Sequence, residues 1–65
     1  MDKIKALRIN EGLSQRMLAA RAGVTNTSVW KLEKGGSVHP ATLKKIADVL
    51  GVKATDLLKE ESDHA

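Results

Sequence analysis

The 65 residues predict an all-α fold, a five-helix bundle in one compact domain, on three observations. Apolar residues recur at i, i+3, i+4 spacing along most of the chain, and no stretch alternates apolar and polar as a half-buried strand would. Glycines and N-capping residues punctuate the periodic segments where helices should stop and start. The connections between those segments are only a few residues long, so the helices must pack on one another.

The first helix is expected over about Asp2–Glu11 and ends at Gly12; its buried stripe is Ile4, Leu7 and, in the same sector, the charged Arg8. Ser14 is a good N-cap for a second helix that runs to Ala22, buries Leu18, Ala19 and Ala22, and closes at Gly23. The third is capped by Thr25 and stopped by Gly35-Gly36. Pro40 suits the first turn of the fourth, which carries Leu43, Ile46, Ala47 and Leu50 up to Gly51. A short fifth helix is expected after Thr55 as N-cap, contributing Leu57 and Leu58. Leu13, Val24 and Val52 lie just outside helix ends, where they can seal the core. Residues 1–59 make the domain and residues 60–65 a polar tail expected to fray.

The composition narrows the function. The chain has no cysteine, which excludes a disulfide framework and a thiolate metal site and suits a reducing cytoplasm. No apolar run approaches the ~20 residues of a membrane span, and the N-terminal "MDKIKALR" lacks a signal-peptide core. The net charge of +3 is unevenly spread. Residues 1–36 hold seven Lys/Arg against three acids, whereas residues 37–65 hold four Lys against five acids. A basic half favours a polyanionic partner. His39 and His64 stand apart, without ligand-type neighbours in metal spacing, so no metal or cofactor is expected. No nucleophile motif or phosphate loop is present either, and a small enzyme is not the reading.

The second and third helices carry the functional signal. Only Gly23, Val24 and Thr25 separate them, too few for a long antiparallel hairpin. A short turn beginning with glycine instead sends the next helix off steeply, as in a helix-turn-helix. Ala19 and Ala22 are small where the helices cross, and Val24 with Val29 forms a hydrophobic staple. The third helix opens with Thr25-Asn26-Thr27-Ser28, all mediocre helix formers, followed by the lone aromatic, Trp30. On a helical projection Val29 and Leu32 face inward, while Thr27, Trp30, Lys31 and Lys34 face away.

From "LRINEGLSQRMLAARAGV" through "SVWKLEKGG" to "PATLKKIADVLGV" and "DLL", roughly residues 4–58, the chain resembles the phage-repressor-like Cro/C1 (Xre) helix-turn-helix domains. The features that match are "LR" five residues before "GLSQ", Ala19 and Gly23 in the turn, the "LEKG" ending and the terminal "LGV…DLL". The resemblance implies a lambda-repressor-like bundle whose third helix lies in the DNA major groove. It implies base contacts from Asn26, Thr27, Ser28 and Lys31, because slim polar tips enter the groove closely. Asn can bridge adenine N6 and N7, Thr methyls can touch thymine methyls, and Lys31 can reach guanine or a phosphate.

Backbone contacts are expected from Gln15, Arg16, Thr25, Trp30, Lys34 and Ser37, with Gln15 either on the DNA backbone or bracing a recognition residue. The positive end of the second helix also favours a phosphate there. Gly36-Ser37-Val38-His39 lies where relatives contact the backbone through basic residues, and here it has no Lys or Arg. Trp30 has two readings, packing on sugar or thymine methyl at the groove rim, or lying over neighbouring aliphatic chains. Arg8 and Glu33 match positions that form an internal ion pair in the family, the alternative being two separately solvated charges. Family dimers use the corner between the last two helices, which maps to Val52, Ala54, Asp56 and Leu58.

Two functions follow from different classes. One is a cytoplasmic, nucleoid-associated, sequence-specific regulator of a prokaryote or phage, a repressor that binds a palindromic operator as a homodimer and acts by occlusion, since the chain leaves no room for an effector domain. The other is a protein-interaction module, such as an antitoxin that docks a toxin and binds its own promoter. Ile9 and Met17 are the only outward apolar candidates for docking, and scattered apolar side chains of this kind are ordinary.

Overall fold

A computed structural model describes residues 2–57. Helices α1 (Asp2–Asn10), α2 (Gln15–Ala22), α3 (Asn26–Glu33) and α4 (Pro40–Leu50) follow in order, and residues 54–57 are again helical. No strand occurs among the described residues. The first helix stops one residue short of the expected end, with Glu11 already in the turn. The fifth helical segment begins before Thr55, which therefore lies inside it instead of capping it. The amide of Asp56 donates to the carbonyl of Lys53 at 3.0 Å, so the first turn is built on Lys53. That start places Leu57 in the core with no exposure, which outweighs the capping preference of a threonine side chain.

Local chemistry sets each boundary. The Ser14 hydroxyl accepts the Met17 amide at 3.1 Å, satisfying one of the orphan N–H groups at the start of α2. At its end Gly23 takes φ 70°, a left-handed conformation that costs glycine nothing, and Val24 donates back to the Ala19 carbonyl at 2.9 Å. The chain thus turns within three residues and enters α3 through Thr25, whose hydroxyl accepts the Ser28 amide at 3.1 Å. Proline in the first turn starts α4, helped by His39, whose Nδ1 accepts the Ala41 amide at 3.3 Å. Sequence reading did not foresee this cap, because histidine ranks low among capping residues.

Helix α2 is the centre of the bundle, packed on both α3 and α4, while α1 packs on α3. Leu18, Val29, Ile46, Ile4 and Leu57 are fully buried, and Ala19 and Ala47 fill the closest approaches. Each large aliphatic side chain so buried contributes about 1.5–3 kcal/mol toward the cost of ordering the chain. Val24, Val38 and Val52 pack on the core from the connections between helices. No helix among the described residues is long and apolar enough to cross a membrane.

Candidate nucleic-acid interface

The two faces of α3 have opposite characters. Val29 and Leu32 are buried, whereas Asn26, Thr27, Trp30, Lys31 and Lys34 are exposed. The N-terminal tip is ordered by its cap. Thr25 and Ser28 hydroxyls lie 2.9 Å apart while Thr25 also accepts the Ser28 amide, so the half-buried Ser28 hydroxyl is engaged within the helix start. Asn26 and Thr27 project from the same turn, and none of the described hydrogen bonds involves their side chains.

Beneath this face lies a network that joins three helices. The Arg8 Nε donates to Glu33 Oε2 at 2.6 Å and its Nη2 to Oε1 at 3.2 Å, a two-pronged pairing. The third guanidinium nitrogen, Nη1, donates to the Leu13 carbonyl at 2.8 Å. Gln15 adds its Nε2 to Glu33 Oε1 at 3.1 Å. The Arg8 and Glu33 side chains are only 11 % and 6 % exposed, so this is an internal ion pair. Burial pushes the Glu33 carboxyl upward, but the bonds from Arg8 and Gln15, with the positive charges of Arg8 and Lys5, outweigh it and hold the group below its usual range. Gln15 therefore begins α2 with its amide nitrogen turned inward, bracing the end of α3. Arg16, beside it, is exposed.

Lys5, Arg8, Gln15, Trp30, Glu33 and Lys34 line one depression of about 540 Å³ between α1, the start of α2 and α3. Trp30 is 50 % exposed, and the Lys34 ammonium stands 5.8 Å from the ring centroid, within the range of a cation–π contact. The indole has a partner in Lys34 at the end of α3 and leaves half its surface open on the outer side of that helix. The i, i+4 spacing makes Trp30 and Lys34 neighbours, whereas periodicity carried no signal for the choice of Glu33 by Gln15, which depends on side-chain direction.

The remaining candidates lie at two corners. Ser37 is exposed on the α3–α4 connection, and Val38 packs inward. Val52 and Ala54 are half-buried against the core and, with Lys44, Asp48, Lys53 and Thr55, line a groove of about 270 Å³, while Asp56 is half-buried. Leu58, His64 and the tail lie outside the described residues. Among the described residues no group of three or more His, Cys, Asp or Glu could hold a metal ion.

A family model described as "Helix-turn-helix", of the Cro/C1 type, matches residues 4–57. The match takes in α1 through the start of the fifth helical segment, and with it the capped turn, the outer face of α3 and the Arg8–Glu33–Gln15 network.

Proposed function

The chain belongs to this helix-turn-helix family of DNA-binding transcription regulators, and we propose that it recognises a specific double-stranded operator as a homodimer and represses by occlusion. The observation that carries this reading is the division of α3, with aliphatic side chains buried on one side and Asn26, Thr27, Lys31 and Lys34 presented on the other. Asn26, Thr27 and Ser28 are proposed to meet base edges, the tip of a recognition helix being what first reaches them. Lys31 brings a cation to a guanine edge or a phosphate. Arg16, Thr25, Trp30, Lys34 and Ser37 are proposed to face the backbone, where contacts position the protein without reading sequence, and Gln15, whose amide nitrogen donates to Glu33, is proposed to brace the end of α3.

One recognition helix reads few base pairs, so two copies on a palindrome, with half-sites ~34 Å apart, are proposed. Val52, Ala54 and Asp56, together with Leu58, are the proposed dimer contacts, and a cytoplasmic, nucleoid-bound protein of a prokaryote or phage is the proposed setting. The test is selection of binders from random duplex DNA. A palindromic consensus with two half-sites one helical turn apart is expected, and failure to enrich any sequence would sink specific recognition. Sedimentation with and without the selected duplex reports the stoichiometry.

A further inference from the structure

The α3–α4 corner contains two adjacent glycines with different reasons to be glycine. Gly35 takes φ 89°, and a Cβ there would meet nothing within 4 Å, so its backbone conformation is the constraint. Gly36 has no left-handed φ. A Cβ on Gly36 would instead come 2.8 Å from Lys31 Cγ, 3.0 Å from the Lys31 carbonyl oxygen and 3.6 Å from Lys31 Cε. The Lys31 stem thus occupies the space that a side chain at 36 would need. The Gly36 amide donates to that same carbonyl at 2.9 Å, holding the turn against the helix end. The Lys31 ammonium is a single bond beyond Cε, so it lies within ~5 Å of that Cβ position once ~1.5 Å is added for the bond. That connection, Gly36-Ser37-Val38-His39, has no Lys or Arg of its own.

We propose that Gly36 is a positioning residue for DNA binding: by leaving room for the Lys31 stem across the α3–α4 turn, it directs the Lys31 ammonium to a backbone phosphate at a connection that otherwise lacks a cation. The proposal rests on the DNA-binding reading above and decides between the two partners open to Lys31. A base contact would have the ammonium project from the outer face into the groove. A phosphate contact is served from the helix end, where the stem already runs.

Four variants test it: Lys31→Ala, Gly36→Ala, the double variant, and Gly35→Ala as a control that strains the backbone without touching Lys31. Each is titrated over a range of salt against a duplex recovered by the wild-type protein from random DNA and against an unrelated duplex of equal length. Thermal unfolding is recorded alongside. Lys31→Ala is expected to weaken both duplexes alike, keep the selected consensus and make the log–log salt slope shallower by about one per bound copy. Gly36→Ala should do the same in kind, and the double variant should bind no more weakly than Lys31→Ala alone. Gly35→Ala should melt earlier yet keep the wild-type salt slope.

The proposal is overturned if Gly36→Ala keeps wild-type affinity and slope, if the two single effects simply add, or if Lys31→Ala shifts the consensus with the slope unchanged. If the wild-type protein recovers no duplex at all, the DNA-binding reading itself fails and the proposal with it. That outcome differs from each of the others.

Discussion

Removing the Glu33 carboxylate should cost this domain a large part of its stability. In Glu33→Ala, Arg8 loses both carboxylate bonds, at 2.6 and 3.2 Å, and of its described bonds keeps the one to the Leu13 carbonyl. Stranding one member of a buried ion pair costs about 3–5 kcal/mol. The lower end applies here, because 11 % of the Arg8 side chain stays open to water. A chain of 65 residues has roughly 3–10 kcal/mol in total, at about 0.05–0.15 kcal/mol per residue. A loss of ~3 kcal/mol corresponds to a melting point about 12–24 °C lower, at 4–8 °C per kcal/mol for a domain of this size.

Thermal and urea unfolding followed by far-ultraviolet circular dichroism measure the effect. The double variant Arg8→Met/Glu33→Leu is expected to recover most of the loss, since apolar replacement of both partners removes the stranded charge. Lys44→Ala serves as a control. Its pair with Asp48, at 3.5 Å with both side chains mostly exposed, should leave the melting point unchanged. A Glu33→Ala melting point within a few degrees of wild type would refute the reasoning, as would a double variant whose loss equals the sum of its single losses.

Three further outcomes are expected. Because the folded Glu33 carboxyl titrates below its unfolded value, its contribution is complete above the unfolded value, near pH 4.3, and is lost as pH falls through the lower folded value. Acid titration of stability should therefore fall below about pH 4, and Glu33→Gln should remove that part of the slope. Thr25→Ala deletes the hydroxyl that accepts the Ser28 amide and should cost about 1 kcal/mol in urea unfolding. Asn26→Ala should change the consensus returned by binding-site selection. Arg16→Ala should weaken every duplex alike and flatten the salt dependence.

The parts of the fold that follow from backbone rules were legible before any coordinates. Ser14 and Thr25 cap because short hydroxyl side chains reach the amide three residues on, and Leu43, Ile46, Ala47 and Leu50 face inward because one stripe of α4 must. Arg8 stood out as a charge inside an apolar stripe, while its pairing with Glu33 was implied by the family resemblance. Where the reading stopped was at side-chain direction. Nothing in the spacing of residues says that Gln15 turns its nitrogen to Glu33 or that Lys31 lies against Gly36. Thr55 shows the opposite failure. A good local cap was overridden because the core required Leu57, and the helix had to start earlier to place it.

The division of α3 has a consequence for how such a protein can change over time. Val29 and Leu32 are tied to the core and Glu33 to Arg8, whereas Asn26 and Thr27 are exposed and stand outside the buried core. On the proposed reading, selection on folding and selection on operator choice therefore fall on different letters of one eight-residue helix. Duplicated copies can drift toward new operators through the outer letters while the inner ones keep the bundle intact. The tolerance for that drift is widest at Asn26 and Thr27 and narrowest at Ser28, whose hydroxyl lies 2.9 Å from the Thr25 cap.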